Sequence, residues 1–383
     1  MRPAVTSALV WLNRAWRAVG VALLVLVAVE GMYRASQALR SRSAPQPTGQ
    51  ALRDHPYANQ PWFKGWYAQP VVRAGTVYDP YRTSHKAPAR TPYINIDSAG
   101  RRVTVQPSGA SSARRVFLLG GSTMWGYTAR DSFTIASAVA ALLRARGLTD
   151  VEVVNLAQPG YNATQEVITL MLALRDGEIP AAAVFLTTHK DVYAAFQNGK
   201  PGGITSQRQY AAQFEARTPG LGDDLKALAR HTALGARMAP VEHVESYSSH
   251  EPSAGLCDAV SRQYLQLGRI TGGMARQYGF PFLFLRQPML ATSHKPLSPW
   301  ERKLPRPRFE ATYLRCVSAI DSTMRAFPGG EYHSLATLFD TDTSTVFIDE
   351  YGYLTEAAGQ AVARQIVELV EPALRSAKPA PLR

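Results

Sequence analysis

Four stretches of this 383-residue chain set hydroxyl, amine, imidazole or carboxylate groups beside tight turns. The sharpest is Leu119-Gly120-Gly121-Ser122-Thr123-Met124-Trp125-Gly126, directly after the apolar run Val116-Phe117-Leu118-Leu119. A serine at such a strand-to-helix turn stands at the carboxyl end of a parallel sheet, where open α/β folds bind ligands. The glycines let the chain turn tightly and leave little side chain over the crevice. The Ser122 N–H can stabilise an oxyanion, and its hydroxyl can attack a carbonyl once a base takes its proton. The bland alternative is a plain turn with a capping serine, and short motifs alone are weak. The second stretch, Asn155-Leu156-Ala157-Gln158-Pro159-Gly160-Tyr161-Asn162, puts Gly160 just before a helix start, so its N–H can also face the crevice. The third is Thr188-His189-Lys190-Asp191, and the fourth is Phe347-Ile348-Asp349 ahead of Leu354-Thr355.

These residues need a scaffold, and the hydrophobic pattern supplies one. Val116–Leu119, Val151–Val154, Ala183–Thr187 and Phe282–Leu285 read as buried strands, with another expected near 335–339 and a short one at Ile94–Ile96. Helical stripes alternate with them. Ile135, Val139, Leu142 and Leu143 follow Asp131 or Ser132 as cap. Val167, Leu170, Met171 and Leu174 follow Asn162, whose capping-box partner is Gln165. Further helices are expected over about 254–278, 308–326 and from Thr355 onward. Strand–helix alternation predicts a three-layer α/β/α domain around a parallel sheet. Residues 61–110, rich in aromatics and turn residues, read as an extended N-terminal arm. The stretch 197–253, with one helix expected near 223–237, fits the alternation poorly and reads as a lid-like insertion.

The order and spacing of the four blocks resemble the SGNH/GDSL hydrolase superfamily. They are most similar to its bacterial membrane-tethered members with a Gly-Gly-Ser-Thr nucleophile block and an aromatic arm, over about residues 57–372. The resemblance implies a flavodoxin-like sheet and hydrolysis or transfer of acyl esters by Ser, Asp and His. It also implies an oxyanion hole made by a Ser N–H, a Gly N–H and an Asn side chain. Carried over by position, Ser122 is the nucleophile, Gly160 the second oxyanion donor and Asp349 the orienting acid. Two positions depart from the pattern. Where the family reads Gly-x-Asn-Asp, this chain has Lys190 in place of Asn. Where the family reads Asp-x-x-His before Leu-Thr, this chain has Gly352 at the counted position and Tyr353 just before Leu354. No histidine occurs in 334–383. Candidate replacements are His189 as a relocated base and Lys190 as a Ser–Lys base or as a cation for the oxyanion. His333 is a weaker candidate.

The first 40 residues read as an uncleaved signal anchor. Arg2, Arg14 and Arg17 precede an apolar run whose membrane segment is taken as 18–33. Residues 41–60, rich in Pro, Gln, Ser and Arg, read as a linker to the domain at 61–383. The expected location is the bacterial inner membrane, single-pass, with the domain facing the periplasm or exterior. There Cys257 and Cys316 can form a disulfide, the alternative being two unrelated buried thiols. The net charge of +13 comes from scattered arginines, which points to a solvated surface rather than a nucleic-acid partner. No metal or cofactor is expected. The chain thus reads as a membrane-anchored serine ester hydrolase or O-acyltransferase acting outside the cytoplasm on acyl esters, surface polysaccharide among them. The competing reading is a catalytically degenerate SGNH-fold protein that binds a glycan or acyl ligand in an envelope assembly.

Overall fold

The computed structural model describes residues 3–42, 54–69, 75–105, 114–214, 255–306, 309–327 and 331–376. Most of the expected linker and of the 197–253 insertion, with its expected helix at 223–237, lies outside them. The chain divides into two compact units, Met1–Ala51 with Gln209–Glu245 and Leu52–Arg208 with Ser246–Arg383.

In the first unit a continuous helix, α1 (Pro3–Arg42), carries the apolar run. Its segment Trp11–Ser36 has mean hydropathy 1.8, and 26 residues of helix are long enough to cross a bilayer. A signal sequence near the N-terminus meets the same description. The helix extends well beyond the 18–33 segment expected from hydropathy alone. Glu30, the one acid in that run, is paired with Arg34 one turn later at 2.7 Å.

The second unit holds a short helix α2 (Phe63–Tyr67) and a hairpin of β1 (Thr76–Asp79) and β2 (Thr83–Lys86). Then come β3 (Arg114–Gly120), α3 (Ser122–Trp125), α4 (Ile135–Ala145), β4 (Val151–Asn155) and α5 (Ala163–Arg175). They are followed by β5 (Ala182–Thr187) and α6 (His189–Asn198); the next helix, α7 (Gln207–Phe214), begins in this unit and continues past the boundary at Arg208. The chain closes with α8 (Leu256–Tyr278), β6 (Phe282–Arg286), α9 (Glu310–Arg325), β7 (Tyr332–Ser334) and α10 (Glu356–Ser376). The five-stranded sheet is parallel throughout, in the order β4-β3-β5-β6-β7. Numbered within the sheet this is 2-1-3-4-5, the flavodoxin-like arrangement, whose switch point lies between β3 and β5.

Alternating side chains on β3 explain the layers. Val116 and Leu118 face one core with α4 and α10. Phe117 and Leu119 face the other with α5, α6, α8 and α9. Both faces are covered, which is why the strands read as unbroken apolar runs. The arm adds Phe63, Trp66, Ile94 and Ile96 to the first core, and Tyr57, from the end of the expected linker, packs there with them.

Several expectations shift. The strand placed at 335–339 is β7, Tyr332–Ser334, and 335–339 forms a turn. Ile94–Ile96 is not a strand, because Ile96 makes only isolated bridges to Ala89 and Arg102. Helix α4 is capped by Thr134, whose hydroxyl accepts from the Ser137 N–H; Asp131 starts a short 3-10 turn and is occupied elsewhere. The Asn162–Gln165 capping box on α5 is present as expected. Cys257 and Cys316 form a disulfide joining α8 to α9.

Candidate active site

Sheet topology fixes where the site must be. Ser122 follows β3 and Thr188–Asp191 follows β5, so the two blocks flank the switch point. A small cavity there is lined by Gly121, Ser122, Tyr161, His189, Lys190 and Tyr353, with Glu166, Thr187, Gln287 and Tyr351 also on its wall. Its volume is about 10 Å³, room for roughly one water.

The loop bearing Ser122 is tied down from several sides. Arg102 from the arm, fully buried, donates to Asp131 at 2.6 Å, to the Gly126 carbonyl at 3.1 Å and to the Ala129 carbonyl at 2.9 Å. Its guanidinium lies 4.6 Å from the centre of the Trp125 ring. Asn155 at the end of β4 donates to the Met124 carbonyl. Thr123 and Thr128 donate to the carbonyls of Gly352 and Leu354, which joins this loop to the Asp349 turn. The arm braces the Gly160 loop too. Gln158 accepts from the Lys86 N–H at 3.0 Å and donates to the Gly100 carbonyl at 2.6 Å. The arm is therefore a clamp on both turns that face the crevice.

Ser122 is buried on the cavity wall, and the Tyr353 phenol on the same wall is close enough for the serine hydroxyl to bear on its ionisation. Tyr353 thus occupies the place opposite the serine where the family resemblance leads one to expect a base. Burial pushes its pKa far above the ordinary phenol value, against the opposing pull of the Ser122 contact, so it is neutral at physiological pH. Gly352, at the counted histidine position, has φ +85°. A Cβ there would sit 2.3 Å from the Met289 sulfur and 3.2 Å from Gln287 Nε2. Only glycine suits that backbone and that space, so position 352 cannot carry a base.

Lys190 stands over the nucleophile turn. A Cβ on Gly121 would lie 3.6 Å from Lys190 Cγ, and Lys190 Nζ lies 4.9 Å from the centre of the Tyr193 ring. Burial lowers the ammonium pKa to about 8, while the Asp349 carboxylate pulls it upward. Asp349 itself is raised to about 6 by burial; the N–H groups of Tyr353 and Tyr351 and the charge of Lys190 oppose that rise. Those N–H groups reach Asp349 Oδ1 at 2.8 and 3.1 Å. Asp349 organises its own turn and faces Lys190.

His189 lines the cavity wall but is 3% exposed and packed among Tyr193, Phe309, Tyr313 and Tyr351. Neither ring nitrogen has a hydrogen-bond partner among the described residues, Ser122 included. Burial, then Lys190, holds its pKa well below the ordinary value. His189 is a neutral aromatic-cluster residue here, not a ring poised on the serine. His333 sits in edge strand β7 opposite Leu285, off the cavity wall. Gly160 has φ +89° and is not itself on the cavity wall; it leads into Tyr161, which is, and nothing lies within 4 Å of where a Cβ on Gly160 would stand.

Two features were not foreseen. Thr188 has φ +91° and ψ −46°, a conformation that L side chains rarely adopt and that costs about 1–3 kcal/mol. It stands where the family pattern has glycine, which was the legible signal. Its hydroxyl pairs with the buried Tyr264 phenol at 3.2 Å. Glu166 is 1% exposed on the cavity wall, and its Oε2 has no hydrogen-bond partner among the described residues. It lies on the same stripe of α5 as Ala163 and Leu170, a carboxylate at an apolar position, and that spacing could have exposed it.

No protein-family model matches the chain, and no curated protein matches it. Solved structures do match over about two thirds of it. An acetyl xylan esterase, AlAXEase, aligns with TM-score 0.39 and 11% identity over 67% of this chain and 99% of that one. Axe2, an acetylxylan esterase from Geobacillus stearothermophilus, aligns at 0.37 and 12% over 71% and 98%. A lipase from a goat rumen metagenome, Lip_vut3, aligns at 0.40 and 7% over 67% and 97%. At these scores the matches carry no argument about function. The fold assignment rests on the strand order and layers of the chain itself.

Proposed function

We propose that the protein is a membrane-anchored serine ester hydrolase or O-acyltransferase that acts on acyl esters outside the cytoplasm, surface polysaccharide among them. The observation that carries this reading is the convergence of Ser122 and Lys190 on one cavity at the switch point, with the lysine pKa lowered to about 8. An amine with that pKa is partly neutral near physiological pH and can serve as a base. In this reading neutral Lys190 accepts the Ser122 proton while Oγ attacks the ester carbonyl carbon. Ser122 N–H and Gly160 N–H face the oxygen that gains charge. The resulting ammonium returns its proton to the departing alkoxide as the acyl–oxygen bond breaks. Water or an acceptor hydroxyl then takes the acyl group from Ser122 by the reverse sequence. Asp349 supports the ammonium form, and Tyr353 orients the hydroxyl. The disulfide supports an oxidising compartment. The test is turnover of p-nitrophenyl acetate by the purified protein. Loss of that turnover in Ser122→Ala and Lys190→Met is expected; activity in both variants equal to wild type overturns the reading.

A second reading is favoured by one observation. The cavity holds about one water, with Tyr353 against the serine, so an acyl group needs the aromatic rim to open. A degenerate site, with Gly352 and Tyr353 where a base is expected, fits that arrangement, the ligand being a glycan or acyl group held in an envelope assembly once the rim opens. On this reading, Lys190→Asn combined with Tyr353→His creates ester turnover that the parent lacks. Strong activity in the parent excludes it.

A further inference from the structure

The mechanism above leaves one buried carboxyl group of the cavity unused. Glu166, in the first turn of α5, faces the same small cavity as Ser122. One of its oxygens has no partner among the described residues, and the nearby Thr187 hydroxyl only opposes the upward shift of its pKa. Thr187 donates to Asp191 Oδ2 at 3.2 Å, and Asp191 accepts from the Ala163 N–H at 3.1 Å. Asp191 is thus provided with donors, whereas Glu166 Oε2 has none.

The charged groups around Glu166 decide its state. Asp191, on α6, repels a second negative charge. Lys190, the cation on the cavity wall, has Asp349 as its charge partner. His189 is neutral, and Tyr264 and Tyr353 keep their protons. Burial first, then Asp191, holds the Glu166 carboxyl well above the ordinary carboxylate range. A carboxylic acid kept neutral by an apolar site can donate a hydrogen bond to an oxyanion.

We propose that Glu166 is a catalytic residue of this site, presenting a carboxylic O–H to the substrate oxygen that gains charge when Ser122 attacks. In a cavity with room for about one water, an oxygen placed beside Ser122 lies close to the other groups on the wall, Glu166 among them. The donor role asks for no proton transfer, so Glu166 ends the cycle as it began. The proposal rests on the serine-nucleophile reading, and its test separates the two.

The first arm is infrared difference spectroscopy of wild type minus Glu166→Gln in the full-length protein at neutral pH. A protonated carboxyl band that disappears in the variant is expected, and absence of that band overturns the proposal. The second arm is the rate of fluorophosphonate labelling of Ser122. Glu166→Gln, which keeps a neutral donor, stays within about tenfold of wild type. Glu166→Met loses the donor and falls by about 10²–10³-fold, the usual cost of one oxyanion donor. Labelling of Glu166→Met at the wild-type rate overturns the proposal even with Ser122 reactive. Failure of wild type itself to label removes the serine reading and this proposal with it.

Discussion

If Lys190 is the base, the reactivity of Ser122 follows the neutral fraction of that amine. Burial brings its pKa to about 8. The neutral fraction is then about one eleventh at pH 7 and about ten elevenths at pH 9, so labelling by a fluorophosphonate rises about tenfold between them. Removing the amine in Lys190→Met takes away the general base, a loss of about 10²–10⁴-fold, and flattens the profile. The sign for Asp349→Asn follows from the same pair. The Asp349 carboxylate favours the ammonium form, so its removal shifts the inflection to lower pH. The assay is the second-order labelling rate followed by mass spectrometry, with circular dichroism to confirm that each variant is folded. An inflection well below pH 6.5 that survives Lys190→Met points to His189, whose pKa burial depresses, and refutes the assignment.

Three further predictions concern the scaffold. Gly352→Ala meets both a left-handed backbone and the Met289 sulfur, so denaturant unfolding registers a loss of about 2–5 kcal/mol. Arg102→Met strands the Asp131 carboxylate and frees the arm from the nucleophile loop; a loss of about 3–5 kcal/mol is expected in the same assay, with slower Ser122 labelling. Replacing Cys257 and Cys316 together by alanine removes a cross-link over a 59-residue separation, worth about 4 kcal/mol in the loop-entropy description, and lowers the denaturation midpoint accordingly.

Fold and site were legible in the sequence to different depths. Apolar runs such as Phe117-Leu118-Leu119 and Phe282-Leu283-Phe284 announce strands buried on both faces, and the Asn162–Gln165 box announces α5. Edge strand β7 was misplaced because Tyr332–Ser334 is short and half-buried, whereas Leu335 and Phe339, which resemble a strand, fill the core from a turn. Helix α4 takes Thr134 as its cap rather than the expected Asp131 or Ser132, because residues of all three types suit the role and Asp131 is engaged by Arg102 and Asn95. At the site, block order led to Ser122, Lys190 and Asp349, but not to side-chain direction. His189 and Lys190 are adjacent in sequence and differ in fate, one sealed among aromatic rings and one over the nucleophile turn. Glu166 is legible as a carboxylate at an apolar position of α5, but not the cavity it faces, which is formed by elements far away in the chain.

The central claim is that Ser122 is a reactive nucleophile, and peptide mapping of the protein after fluorophosphonate treatment tests it most directly. The account predicts a single adduct on the peptide containing Ser122, absent from Ser122→Ala and faster above pH 8 than at pH 7. Equal labelling of wild type and Ser122→Ala, or no adduct at Ser122 at any pH, contradicts it.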